Sequence, residues 1–187
     1  MLDDISIISC AYKKAYVEWI PRDQGGGFVK EHGDSSIIKQ CTKNERKQDV
    51  LPSGNQIVTT AYHYCLLIKP DGTLERVVIS FTSTQLKKSR KWNSTMMALM
   101  VEISGKKITP PMFSHIYTAK SVSEKNEQGQ WAGWQIGNPK IITDSDIYGV
   151  AKKFSEDVIK GLVNVAPPSP DSASATAEPE AGDDNVL

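Results

Sequence analysis

What this sequence lacks narrows it first. No window approaches the ~18 consecutive apolar residues that a membrane-spanning helix needs, so no span and no membrane partner is expected. The opening MLDDISIISC carries Asp3 and Asp4 where a secretory leader carries cations, and it has no sustained apolar core, so a cytosolic protein is expected. Cysteine is scarce: Cys10, Cys41 and Cys65 make neither a CxxC pair nor an even set for a disulfide framework. His32, His63 and His115 are just as scattered, and no metal or cofactor is expected. Neither an HExxH motif nor a Ser–His–Asp ordering stands out, which argues against an enzyme. The triple glycine Gly25–Gly27 lacks the following Gly-Lys-Ser/Thr of a phosphate-cradling loop, so no nucleotide site is read from it.

Two further absences concern charge. No acid lies between Glu75 and Glu102, although Arg76, Lys87, Lys88, Arg90 and Lys91 all do. No Lys or Arg lies in residues 166–187, although Asp171, Glu178, Glu180, Asp183 and Asp184 do. The formal net charge of zero therefore hides a split: with the tail set aside, 22 cations face 17 acids. A basic body with an acidic tail is an arrangement suited to polyanions. The tail, APPSPDSASATAEPEAGDDNVL, has almost nothing to bury, and is expected to be a disordered appendage of residues 166–187 on a single domain of residues 1–165.

Within the body, AYVEWI (Ala15–Ile20) reads as a first strand, followed by a glycine loop and a polar stretch with at most one short helix. AYHYCLLIKPDGTLERVVISF holds two β-rich runs around Pro70-Asp71-Gly72, a hairpin by its turn chemistry. A helix follows, with Thr82 or Ser83 as its expected cap. Two more strand-like runs surround Gly129, and a last helix begins near Asp144, where acids complement a helix N-terminus. Its apolar positions are Ile147, Val150, Ala151, Phe154, Val158 and Leu162, and Gly161 suits its end. The order predicts a mainly β fold with helices: a five-stranded OB-like Greek-key barrel with a helix between strands 3 and 4, and an extra C-terminal helix. Other small α+β folds share that order.

The basic helix is the clearest functional candidate. On a helical wheel Leu86, Asn93, Met97 and Met100 share one side, and Lys87, Lys88 and Lys91 lie roughly opposite, with Arg90 and Trp92 at the borders. The plain reading is an apolar stripe packed on the barrel and a wet face of lysines; the sharper one is a surface for phosphates. Aromatic residues supply a second signal. Tyr16 and Trp19 must point to opposite faces of a strand, as must Trp131 and Trp134, whereas Tyr62 and Tyr64 share one. A barrel cannot bury all of these, and exposed rings beside cations would stack unpaired bases. Trp19, Tyr62, Tyr64, Trp92, Tyr117 and Trp131 are the candidate stacking residues, and Arg22, Phe28 and Lys30 could close over a strand from the glycine loop. Core packing is the alternative for each ring.

At YVEWIPRDQGGGFV, VISFTSTQLKKSRKWNSTMM, TPPMFSHIY and GQWAGWQIG, the sequence resembles phage-encoded proteins associated with single-stranded DNA binding in replication and recombination. The resemblance implies an OB-type fold, cooperative coating of single-stranded DNA and action in the cytoplasm of an infected bacterium; a homodimer would be compatible with it. The tail is separately similar to the acidic tips of bacterial and phage single-stranded DNA-binding proteins, which dock replication or recombination partners. Asp183, Asp184, Val186 and Leu187 match that pattern, although a terminal Pro-Phe pair is missing. An adaptor working through protein contacts alone, or a nuclease accessory or inhibitor using the same basic surface, are the rival readings.

Overall fold

The computed structural model describes residues 4–126 and 129–163. Its first strand, β1, runs Ile5–Ile20, well beyond the six residues whose pattern reads as strand. A bulge explains the difference. Ser9 pairs with Cys65 and Ala11 with Tyr64, so Cys10 has no partner across that ladder. One inserted residue reverses the alternation of side chains. Ile8 before the bulge and Cys10 within it therefore share a core with Ala11, Ala15 and Val17 after it.

β2 (Gly27–His32) returns along β1. The turn between them needs the glycines: Gly25, Gly26 and Gly27 have φ of 99°, 65° and 135°, which glycine alone adopts without strain. Short strands β3 (Thr42–Lys43) and β4 (Asp49–Val50) lead to β5 (Gln56–Ile68) and β6 (Leu74–Thr82). These last two form the expected hairpin, with the Asp71 carboxylate accepting from the Thr73 amide at 2.9 Å and the Thr73 hydroxyl at 2.7 Å. After a 3-10 turn at Ser83–Gln85 comes α1 (Leu86–Ala98). β7 (Val101–Ile103) and β8 (Lys106–Ile108) make a separate ribbon. β9 (His115–Asn126), β10 (Gly129–Ile136), β11 (Lys140–Ile141) and α2 (Ser145–Ile159) complete the order.

The fold is mainly β. The large sheet runs β10-β9-β1-β5-β4-β3, with β2 also on β1, β6 on β5 and β11 on β9, and it curls into a half-barrel. Among the described residues β6 and β10 share no ladder; α1 packs between them and onto β5. α2 covers the other face, where Tyr62, Tyr64, Leu66, Ala151 and Phe154 form one core. Asp144 caps α2 as expected, accepting from the amides of Asp146 and Ile147. Gly161, at φ 72°, ends it, with the Leu162 amide reaching back to the Asp157 carbonyl. Val150 and Leu162 lie outside the packed stripe and are exposed.

α1 is rotated relative to its helical-wheel expectation. Its buried residues are Ser89, Trp92 and Met96, whereas Met97 is 75% and Met100 57% exposed. Neither expected cap caps α1: Thr82 precedes the 3-10 turn without a side-chain cap bond, Ser83 lies within that turn, and Gln85 takes the N-cap position of α1, also without one. The rotation follows from Trp92 and Ser89. Trp92 has the most apolar area on the helix to remove from water. Ser89, polar and so unremarked as a core position, lies 2.8 Å from Nε2 of the fully buried His63, whose Nδ1 lies 3.2 Å from the Ser9 hydroxyl. Burial lowers the His63 pKa to about 3, so its ring is neutral. Replacing Ser89 with Ala should therefore destabilise the fold by about 1–3 kcal/mol, the cost of an unpaired buried nitrogen. Met97→Ala should change stability by less than about 0.5 kcal/mol, as an exposed position does. Thermal melts of the two variants check this; equal losses would contradict the helix orientation.

Candidate functional site

With Trp92 inward, the cations of α1 sort themselves. Lys87, Arg90 and Lys91 are exposed and form no ion pair among the described residues, while Lys88 turns along the sheet edge and pairs with Glu124 of β9. Between α1 and the β9–β10 edge lies a cleft of about 320 Å³. Lys88, Lys91, Trp92, Glu124 and Trp134 are among the residues lining it. Trp134 was not among the expected stacking residues. Its half-buried ring at an edge strand is the feature that sequence alternation detected without saying which of the two indoles would reach a cleft.

Glu124 organises the mouth of this cleft. Its carboxylate accepts from Lys88, from Gln85 Nε2 at 2.7 Å and from the Trp131 indole N–H at 2.9 Å. Gln85 uses its own carbonyl oxygen to accept from the Trp134 amide at 3.2 Å, which ties the start of α1 to β10 without a ladder. Gly133 makes room: a Cβ there would lie 2.7 Å from Gln85 Nε2 and 2.8 Å from Glu124 Cδ. The hydrogen bond from Lys88 above all, with those from Gln85 and Trp131, holds the Glu124 carboxyl below its ordinary pKa despite partial burial.

The other expected stacking residues lie elsewhere or are covered. Trp92 is 3% exposed and stacks on His63 at 4.3 Å between centroids and 14° between planes, so its ring is not open to a base. Tyr117 is 1% exposed beneath it. Trp92 Nε1 and the Tyr117 hydroxyl are buried without hydrogen-bond partners among the described residues. Tyr62 and Tyr64 are buried in the α2-side core, and burial raises both phenol pKa values, Tyr62 to about 12. These four are corrections to the expected base platform: each ring removes more apolar area inside the fold than it would at a rim. Trp131 stays half-buried beside Glu124.

Trp19 and Phe28 form a second aromatic site on the β1–β2 hairpin, edge to face at 5.8 Å, with Arg22 and Lys30 exposed nearby in the chain. Trp19 packs against the α2-side core, not the α1 side. Asp183, Asp184, Val186 and Leu187, with the whole acidic tail, lie outside the described residues. Among the described residues no three His, Cys, Asp or Glu side chains are grouped to hold a metal ion, and no helix is long and apolar enough to cross a membrane.

A pH titration can isolate the Glu124 cluster. Because its folded pKa is depressed, Glu124 adds stability above its unfolded value, near 4.5, and that contribution disappears as pH falls through the lower folded value. Wild type should melt above Glu124→Gln at pH 6–7, and the gap should close as pH falls below about 4.5. A gap that persists to acid pH would show that the charge of Glu124 contributes nothing.

No curated protein and no solved structure matches this chain. A family model described as Pam3 phage gp34-like protein matches residues 1–164, most of the chain and all but the acidic tail. The chain belongs to the Pam3 phage gp34-like protein family.

Proposed function

We propose that this phage-family protein binds and coats single-stranded DNA, through an OB-type half-barrel, during phage replication or recombination in the cytoplasm of the infected cell. The observation that carries this reading is the α1 cleft, where Lys88 and Lys91 stand beside the Trp134 ring. Lys87 and Arg90 extend the positive surface along the same helix. Cations would follow the phosphates while Trp134 would stack on bases, with Trp131 beside the cleft mouth, a combination that binds single strands without reading sequence. The five long strands β1, β5, β6, β9 and β10, with α1 between the third and fourth, support the OB-type arrangement. Trp19, Phe28, Arg22 and Lys30 would make a second station for a strand that wraps the hairpin. No catalytic step is assigned to the protein.

The acidic tail, with Asp183, Asp184, Val186 and Leu187 at its tip, would recruit replication or recombination proteins or compete with DNA for the basic surface. A second reading, an adaptor acting through protein contacts without nucleic acid, is favoured by one feature. Met97, Met100, Ile103 and Ile108 are all exposed around the end of α1 and the β7–β8 ribbon, a concentration of apolar surface that suits a protein partner.

Titration of a 30-nucleotide single strand, followed by tryptophan fluorescence, tests the first reading. Quenching is expected, and Lys87, Arg90 and Lys91 together should give a log–log salt slope of about −2, or roughly 20-fold weaker binding at 200 than at 50 mM. Unchanged emission at low salt would defeat it. Two changes separate the readings: removing residues 166–187 should tighten DNA binding on the first, whereas Met97→Asp with Met100→Asp should abolish partner binding on the second.

A further inference from the structure

The Lys88–Glu124 pair deepens the reading of the α1 cleft as a polyanion site, on which this inference rests. We infer that Glu124 is a displaceable internal anion, occupying on Lys88 the place that a ligand phosphate takes when the cleft is filled.

Three observations point to exchange and not to a permanent anchor. First, both partners line the cleft wall and keep part of their surface in water, with side-chain exposures of 21% and 24%, so a ligand in the cleft can reach the bond. Ion pairs open to solvent are weak and exchange readily. Second, Glu124 is not stranded when Lys88 leaves. Gln85 Nε2 and the Trp131 indole N–H still donate to it, so its charge stays hydrogen-bonded. Third, Lys88 is the one cation of the Lys87–Lys91 group that has an ion-pair partner among the described residues. Its neighbours Lys87, Arg90 and Lys91 attract an approaching polyanion, and Lys88 changes partner once a phosphate is within reach. The exchange would make the cleft selective for strong anions: a phosphate of a polymer already held by three cations can outcompete Glu124, whereas a lone weak anion cannot.

The test uses the full chain as wild type, Glu124→Gln, Lys88→Met and the double variant, with a fluorescein-labelled 30-nucleotide oligo-dT at 50 mM salt. Glu124→Gln keeps an acceptor for Trp131 and removes the competing charge, so it should bind about 3- to 5-fold tighter than wild type. In the Lys88→Met background the same change should have no effect beyond 2-fold. Equal affinity of Glu124→Gln and wild type would overturn the exchange. So would tightening that persists without Lys88, because the carboxylate would then act only as general negative charge. A second measurement does not depend on DNA: the ¹⁵N-labelled indole resonance of Trp131 is followed as inorganic polyphosphate is added. It should move downfield, since Glu124 relieved of Lys88 is the stronger acceptor. If wild type ignores DNA yet this resonance moves, the nucleic-acid reading falls and the exchange stands. If the resonance is still at saturating polyphosphate, the exchange itself is wrong.

Discussion

The contact on which the rest of this structure depends is the stack of Trp92 on His63. It fixes the rotation of α1 about its own axis, and that rotation decides where every cation of the helix goes. With the indole inward, Ser89 meets the buried imidazole and Met96 enters the same core. Lys87, Arg90 and Lys91 are then left on the outside, and Lys88 is brought to the sheet edge within reach of Glu124. A rotation that buried Met97 and Met100 instead would carry Lys88 away from the carboxylate and dismantle the cleft. The packing link and the electrostatic link are thus one constraint seen from two sides.

The same helix resolves a problem of sheet edges. Among the described residues the open half-barrel leaves one edge of β6 and one of β10 without a ladder partner, the usual route to unwanted strand pairing. α1 sits between these edges, and Gln85 serves both purposes there: its carbonyl oxygen takes the Trp134 amide and its amide nitrogen donates to Glu124. A side chain thereby substitutes for a missing ladder, and the resulting gap is what a ligand could enter. Gly133 is the sequence's concession to this arrangement, since any side chain there would collide with the Gln85–Glu124 pair.

Much of the fold was legible in the sequence because its signals are local. Pro70-Asp71-Gly72 specified the β5–β6 hairpin, and Asp144 and Gly161 marked the ends of α2; the three glycines read only as a loop, and the return strand β2 that follows them did not show in the pattern. The length of β1 was not, because the bulge at Cys10 breaks its alternation into two short patterns that no single period describes. The orientation of α1 was misread for a different reason. Hydrophobicity ranks Met97 and Met100 above Ser89, yet Ser89 is buried because His63, on a strand distant in sequence, supplies its partner. The partner of Lys88 was likewise invisible: the nearest acids in sequence are Glu75 and Glu102, whereas the one it meets lies on β9. The cationic cluster could be found from sequence; which of its members pairs with a carboxylate among the described residues could not.

On the function proposed above, the α1 cleft is the surface through which this member of a phage protein family would meet a flexible polyanion. Hydrogen–deuterium exchange with and without a saturating single-stranded oligonucleotide tests that placement most directly. The account predicts protection concentrated in peptides spanning residues 86–100 and 129–137. Protection confined to α2, or none anywhere despite binding, would contradict it.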